Sequence, residues 1–85
     1  MREILVCTDQ WHGKIHEYFL WHNPDPKDEA TIRQTASHWP FALPSPIKVP
    51  AGGELECGLI GEPGTYKYNA SPCKTLGNPK TVVIG

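Results

Sequence analysis

Three cysteines and four histidines are the side chains of this sequence best suited to chemistry, and their spacing decides which chemistry is open to them. Cys7, Cys57 and Cys73 are odd in number and include no Cys-x-x-Cys pair, so neither a complete disulfide framework nor a thiolate zinc site is signalled. Reduced thiols are the expectation. Cys7 and Cys57 lie in apolar, strand-like contexts and read as small core residues, because a buried thiol behaves as a hydrophobe. Cys73 follows Pro72 in a loop, where an exposed thiol could react or pair between molecules; an unreactive cysteine is the plainer reading. His12 and His16 stand four apart, a chelating distance on a helix. Across a turn and into a strand their rings need not converge, and His12, His16, His22 and His38 each read as solvated or hydrogen-bonded. A metal carrier or sensor joining Cys73 to histidines from elsewhere is the alternative these residues leave open.

Other catalytic arrangements are missing from the sequence. No Ser-His-Asp or Cys-His-Asp motif is recognisable, and Gly52-Gly53 is too short to cradle a phosphate. Glu54 and Glu56 share the solvent side of an alternating stretch and read as solubilising charges rather than as an acid and a base. A core this small leaves little room for a pocket, so the expectation is a protein that is not an enzyme and carries no cofactor. Trp21 and Trp39 read as core; Trp11, in a polar turn beside His12 and Gly13, is the tryptophan expected at the surface.

The elements that must position these residues are short strands. Nine prolines and eight glycines spread through 85 residues argue for many turns and against long helices, within one domain spanning residues 1–85. A net charge of -1 and a pI near 6.4 come from interspersed acidic and basic residues, with no basic patch able to neutralise a run of phosphates. Nucleic acid is therefore excluded as a partner. Ile4 to Cys7 and Val82 to Ile84 are the longest apolar runs, far short of the ~20 residues of a membrane span. The sequence has no charged, apolar leader at Met1, which places a complete chain in the cytoplasm and leaves export for a chain whose leader was removed.

Arg2 to Thr8 reads as a first strand, closed by a polar turn from Asp9 to Gly13, and Lys14 to His22 as a second with aromatic groups on both faces. Asn23 to Asp28 is a loop, since its prolines lack the ladder donor. A helix beginning at Asp28 is open on local propensity, but Thr31 to Thr35 alternates and is read as a strand. Ala36 to Pro46 reads as an extended crossing segment with Trp39, Phe41 and Leu43 turned inward. Leu55, Cys57 and Leu59 alternate with polar residues or glycine, Gly61 to Gly64 turns, and Tyr66, Tyr68 and Ala70 share one face before a final strand from Lys80 to Ile84. About seven strands of this kind form an all-β, antiparallel Greek-key β-sandwich.

The closing stretch, Gly64-Thr-Tyr-Lys-Tyr-Asn-Ala-Ser-Pro-Cys73 followed by Gly77-Asn-Pro and Val82-Val-Ile, resembles the last hairpin of the cupredoxins, the plastocyanin-like blue-copper proteins. Phe19-Leu-Trp-His-Asn23 with its loop, Pro50-Ala-Gly-Gly-Glu-Leu55 and the Gly13 turn extend the resemblance over most of the chain from Gly13 onward. The resemblance implies a cupredoxin-like sandwich, and it also implies where copper would bind. Those places hold Glu29 for histidine, Ala70 for cysteine, Cys73 for histidine and Asn78 for methionine. A blue-copper centre needs a thiolate and two imidazoles in a plane, so the implied outcome is that no type 1 copper forms and that electron transfer is lost. The expected function is then a non-catalytic binding or structural module, with a protein as its partner. Its surface would be the loop end, formed by Pro24, Pro26 and Glu29 from one loop and by Pro72, Cys73, Leu76 and Pro79 from another.

Overall fold

In the computed structural model, which describes residues 1–73 and 77–85, every regular element among the described residues is a strand. These are β1 (Arg2–Leu5), β2 (Gln10–Gly13), β3 (Tyr18–His22), β4 (Ala30–Gln34), β5 (Ile47–Val49), β6 (Glu54–Gly58), β7 (Gly64–Ser71) and β8 (Lys80–Ile84). A three-stranded sheet has the order β1-β3-β6 and a five-stranded sheet the order β2-β8-β7-β4-β5. The all-β sandwich expected from the sequence is present, with one more strand than expected.

The pairing is mixed rather than purely antiparallel. β1 lies parallel to β3 and β2 parallel to β8, while β3/β6, β4/β5, β4/β7 and β7/β8 are antiparallel. The cause lies in the path of the chain. β1 and β3 are separated by β2 of the other sheet, so they run the same way and meet in parallel, and β2 meets the last strand, β8, in parallel at the far edge of the five-stranded sheet.

Alternation builds the core between the sheets. Phe19 and Trp21 of β3, Ala30 and Ile32 of β4, Tyr68 and Ala70 of β7, and Val82 and Ile84 of β8 are all buried. Five aromatic rings, Trp11, Phe19, Trp21, Phe41 and Tyr68, fill its centre, with centroids from 5.0 Å (Trp11–Phe19) to 6.5 Å (Trp11–Phe41) apart and most contacts edge to face. Such pairs each add about 0.5–1.5 kcal/mol beyond the area they bury. Phe41 arrives on the crossing segment, as its alternation predicts. Ala42 N–H donates to the Gly58 carbonyl at 2.9 Å and Ile60 N–H to that of Pro40 at 2.7 Å, locking the segment to the chain around the end of β6.

Two local expectations are corrected. Lys14 to Glu17 is a turn rather than the start of a strand: Glu17 N–H donates to the Lys14 carbonyl at 3.0 Å, and His16 takes a φ of 65°. Residues 10–13 are a strand rather than a turn, and Trp11 is buried rather than exposed. Its indole N–H donates to the Tyr68 hydroxyl at 2.9 Å. Gly13 is buried on the same side, and a Cβ there would collide with Leu59 Cδ1, so no larger residue fits without a shift.

Candidate functional site

β1, β3 and β7 all end at one pole of the sandwich, where Val6, Cys7, Asn23, Pro24, Pro26 and Pro72 lie together. Asn23, the residue after β3, organises the first loop. It is 2% exposed, and its amide donates to the carbonyls of Asp28 (2.9 Å), Val49 (3.2 Å) and Pro50 (3.3 Å). Its Oδ1 accepts the Asp25 N–H at 3.1 Å, and Asp25 Oδ1 in turn accepts those of Lys27 (2.9 Å) and Asp28 (3.1 Å). These successive side-chain turns set the path of the Asn-Pro-Asp-Pro segment, whose prolines bring no donors of their own. Gly52 N–H, at a φ of 65°, donates to the Asp25 carbonyl at 2.7 Å and so ties the loop to the turn before β6.

The cysteines depart from expectation. Cys7 and Cys73 are joined by a disulfide, with Cα atoms 5.6 Å apart and the two residues 66 positions apart in sequence. Reduced thiols are found only at Cys57, which is buried as expected; burial pushes its thiol pKa up and keeps it protonated. An odd cysteine count hid the pair, because the unpaired member is a core residue and the bond spans nearly the whole chain. Cys73 therefore offers no thiolate, and the metal carrier built on it has lost its principal ligand.

The four places that the resemblance implies for copper hold Glu29, Ala70, Cys73 and Asn78. Ala70 is buried in β7 and carries no donor atom; its backbone N–H donates to Asn78 Oδ1 at 2.9 Å. Cys73 sulfur is bonded to Cys7. Glu29 is exposed, with its carboxylate 3.6 Å from the Lys48 ammonium. Two hard oxygens, a disulfide sulfur and a methyl group do not supply the thiolate and imidazoles of a type 1 centre.

Three residues of the expected surface do converge. Pro24, Pro26 and Pro72 line an open groove of about 470 Å³ with Val6, Cys7, Asn23, Asp25 and Lys27. Glu29 and Pro79 are exposed outside that lining, and Leu76 lies outside the described residues. The residues that sequence reasoning missed are Cys7, Asp25 and Lys27. The Asn-x-Asp spacing was a signal for Asp25, while Cys7 had none. At the opposite pole a second hollow of about 510 Å³ is lined by Arg2, His12, Lys14 and Glu17, among others, and two of its opposite charges are paired. The Arg2 guanidinium lies 3.1 Å from Glu17 Oε2 and donates to the His12 carbonyl at 2.6 Å.

No helix is long and apolar enough to cross a membrane among the described residues. No protein-family model matches the sequence, and no curated protein matches it. Among solved structures, the reduced Cu(I) form at pH 4 of the P52G mutant of amicyanin is similar: the TM-score is 0.66 at 17% identity, over 99% of this chain and 81% of that one. That likeness is one of fold, and it establishes the chain as a cupredoxin-like β-sandwich.

Proposed function

We propose that this chain is a cupredoxin-like domain that forms no type 1 copper centre and acts as a non-catalytic binding or structural module, presenting the groove at its loop end to a protein partner. The observation that carries the reading is the pairing of Ala70, which has no donor, with a Cys73 sulfur already spent on Cys7. Rebuilding a trigonal thiolate centre would require both to change. The groove supports the binding half of the proposal: three prolines give it a partly apolar wall, and the disulfide and the Asn23 network hold its two loops in fixed relation. Preorganised loops on a rigid sandwich lose little entropy when they engage a partner.

The disulfide also favours an oxidising compartment, since cytosolic reductants keep most thiols reduced. Addition of Cu(II) to the protein, both oxidised and treated with reductant, tests the copper reading. The expected outcome is no intense visible band from thiolate-to-copper charge transfer in either form. Its appearance at one copper per chain overturns the reading.

A further inference from the structure

The outer face of the three-stranded sheet carries a cluster that belongs to neither pole's hollow. Trp21 points into the core, so His22 on the next position points out. Glu54 stands directly opposite His22 in the β3/β6 register. Leu5 stands opposite it in the β1/β3 register, and Glu3, two residues earlier on the same face, reaches across the diagonal. His22 Nδ1 lies 3.8 Å from Glu3 Oε1 and 3.7 Å from Glu54 Oε2. One ligand atom from each of the three residues falls within 4.8 Å of the others.

One feature leaves this cluster incomplete as it stands. Nδ1 of His22 is shut off from solvent yet has no hydrogen-bond partner among the described residues, although both carboxylates face it at 3.7 and 3.8 Å. An enclosed nitrogen without a partner is destabilising unless something supplies one. A cation between the three groups supplies it.

The spacing suits a metal. Ligands about 2.0–2.1 Å from a tetrahedral ion stand roughly 3.3 Å from one another, so donors at 3.7 and 3.8 Å need move only a few tenths of an ångström. One imidazole with two carboxylates and no thiolate selects divalent ions such as borderline zinc or cobalt, or harder manganese, over soft Cu(I). Three neighbouring strands fix the ligands more firmly than loops would. We infer that Glu3, His22 and Glu54 form a binding site for a divalent transition-metal ion, with the remaining coordination positions open to water. The site shares no residue with the implied copper positions, so it stands or falls separately from the proposed function.

Zinc titration of the oxidised protein at pH 7 by calorimetry, with the histidine ring signals followed by NMR, tests it. The expected result is saturable binding of a single zinc that shifts the His22 ring and leaves those of His12, His16 and His38 in place. His22→Ala and Glu54→Gln each weaken binding by about tenfold or more, since even supporting residues of metal sites contribute that much. A variant with His12, His16 and His38 all changed to Ala keeps the affinity. Absence of saturable binding overturns the inference, as does binding that survives His22→Ala or shifts a different ring. If His22→Ala does not fold, the ring shifts of the unaltered protein decide the matter.

Discussion

Asn23 does more for the loop end than any proline in it. One buried amide serves three backbone carbonyls and one backbone N–H, drawn from its own loop and from the end of β5. Truncation would leave these groups without a partner in a place water reaches poorly. Asn23→Ala should therefore lower unfolding free energy by about 2–4 kcal/mol, several times an ordinary surface change, because each orphaned buried group carries a desolvation cost. Urea unfolding followed by tryptophan fluorescence measures it, and a loss below about 0.5 kcal/mol would show that Asn23 is not the organiser. Asn23→Asp makes a sharper comparison. At neutral pH it sets a carboxylate against three carbonyl oxygens and should be worse than Ala, whereas protonation near pH 3 restores one donor and should narrow the gap.

β1 and β7 sit in different sheets, and the Cys7–Cys73 bond clamps the chain just beyond their ends. Closing a loop of 66 residues' separation restricts the unfolded chain enough to contribute about 4 kcal/mol in the chain-entropy account. The double change Cys7→Ser/Cys73→Ser should cost a large part of that, and added reductant should destabilise the unaltered protein by a similar amount while leaving the double variant unmoved. Equal urea midpoints with and without reductant would mean the bond contributes nothing. How far the elements were readable depended on where their partners lie. β4, β6, β7 and β8 announce themselves by local alternation, and the Phe41 crossing by its prolines. β2 does not, because four residues with one apolar side chain become a strand only by pairing with β8, some seventy residues away. Trp11 was misplaced for the same reason. Of the groove, Pro24, Pro26 and Pro72 lie in loops that the sequence marks by proline, but the disulfide and the Glu3–His22–Glu54 row arise from contacts between distant strands that no local pattern records.

The molecule as a whole has a cupredoxin-like fold, and the sheet register shows how the positions implied for copper stand relative to one another. Ile32 pairs with Ala70 and Thr31 with Ser71 across β4 and β7. β4 begins at Ala30 and β7 ends at Ser71, so positions 29 and 73 lie just beyond the paired residues at the same end of these two neighbouring strands, with Ala70 inside the pairing. If the empty socket reflects the residues alone and not a rearranged scaffold, then Glu29→His, Ala70→Cys and Cys73→His, combined with Cys7→Ser to remove the stranded thiol, should create a thiolate–imidazole site. Cu(II) added to that variant is expected to give the intense visible charge-transfer band that the unaltered protein lacks, and the same variant with Ala70 retained should bind without the band, since the thiolate is its source. The comparison must be made on folded protein, because the lost disulfide removes about 4 kcal/mol. A folded variant that stays colourless with copper would place positions 29, 70 and 73 out of reach of a common ion, and the idea of a copper scaffold stripped only of its ligands would fail.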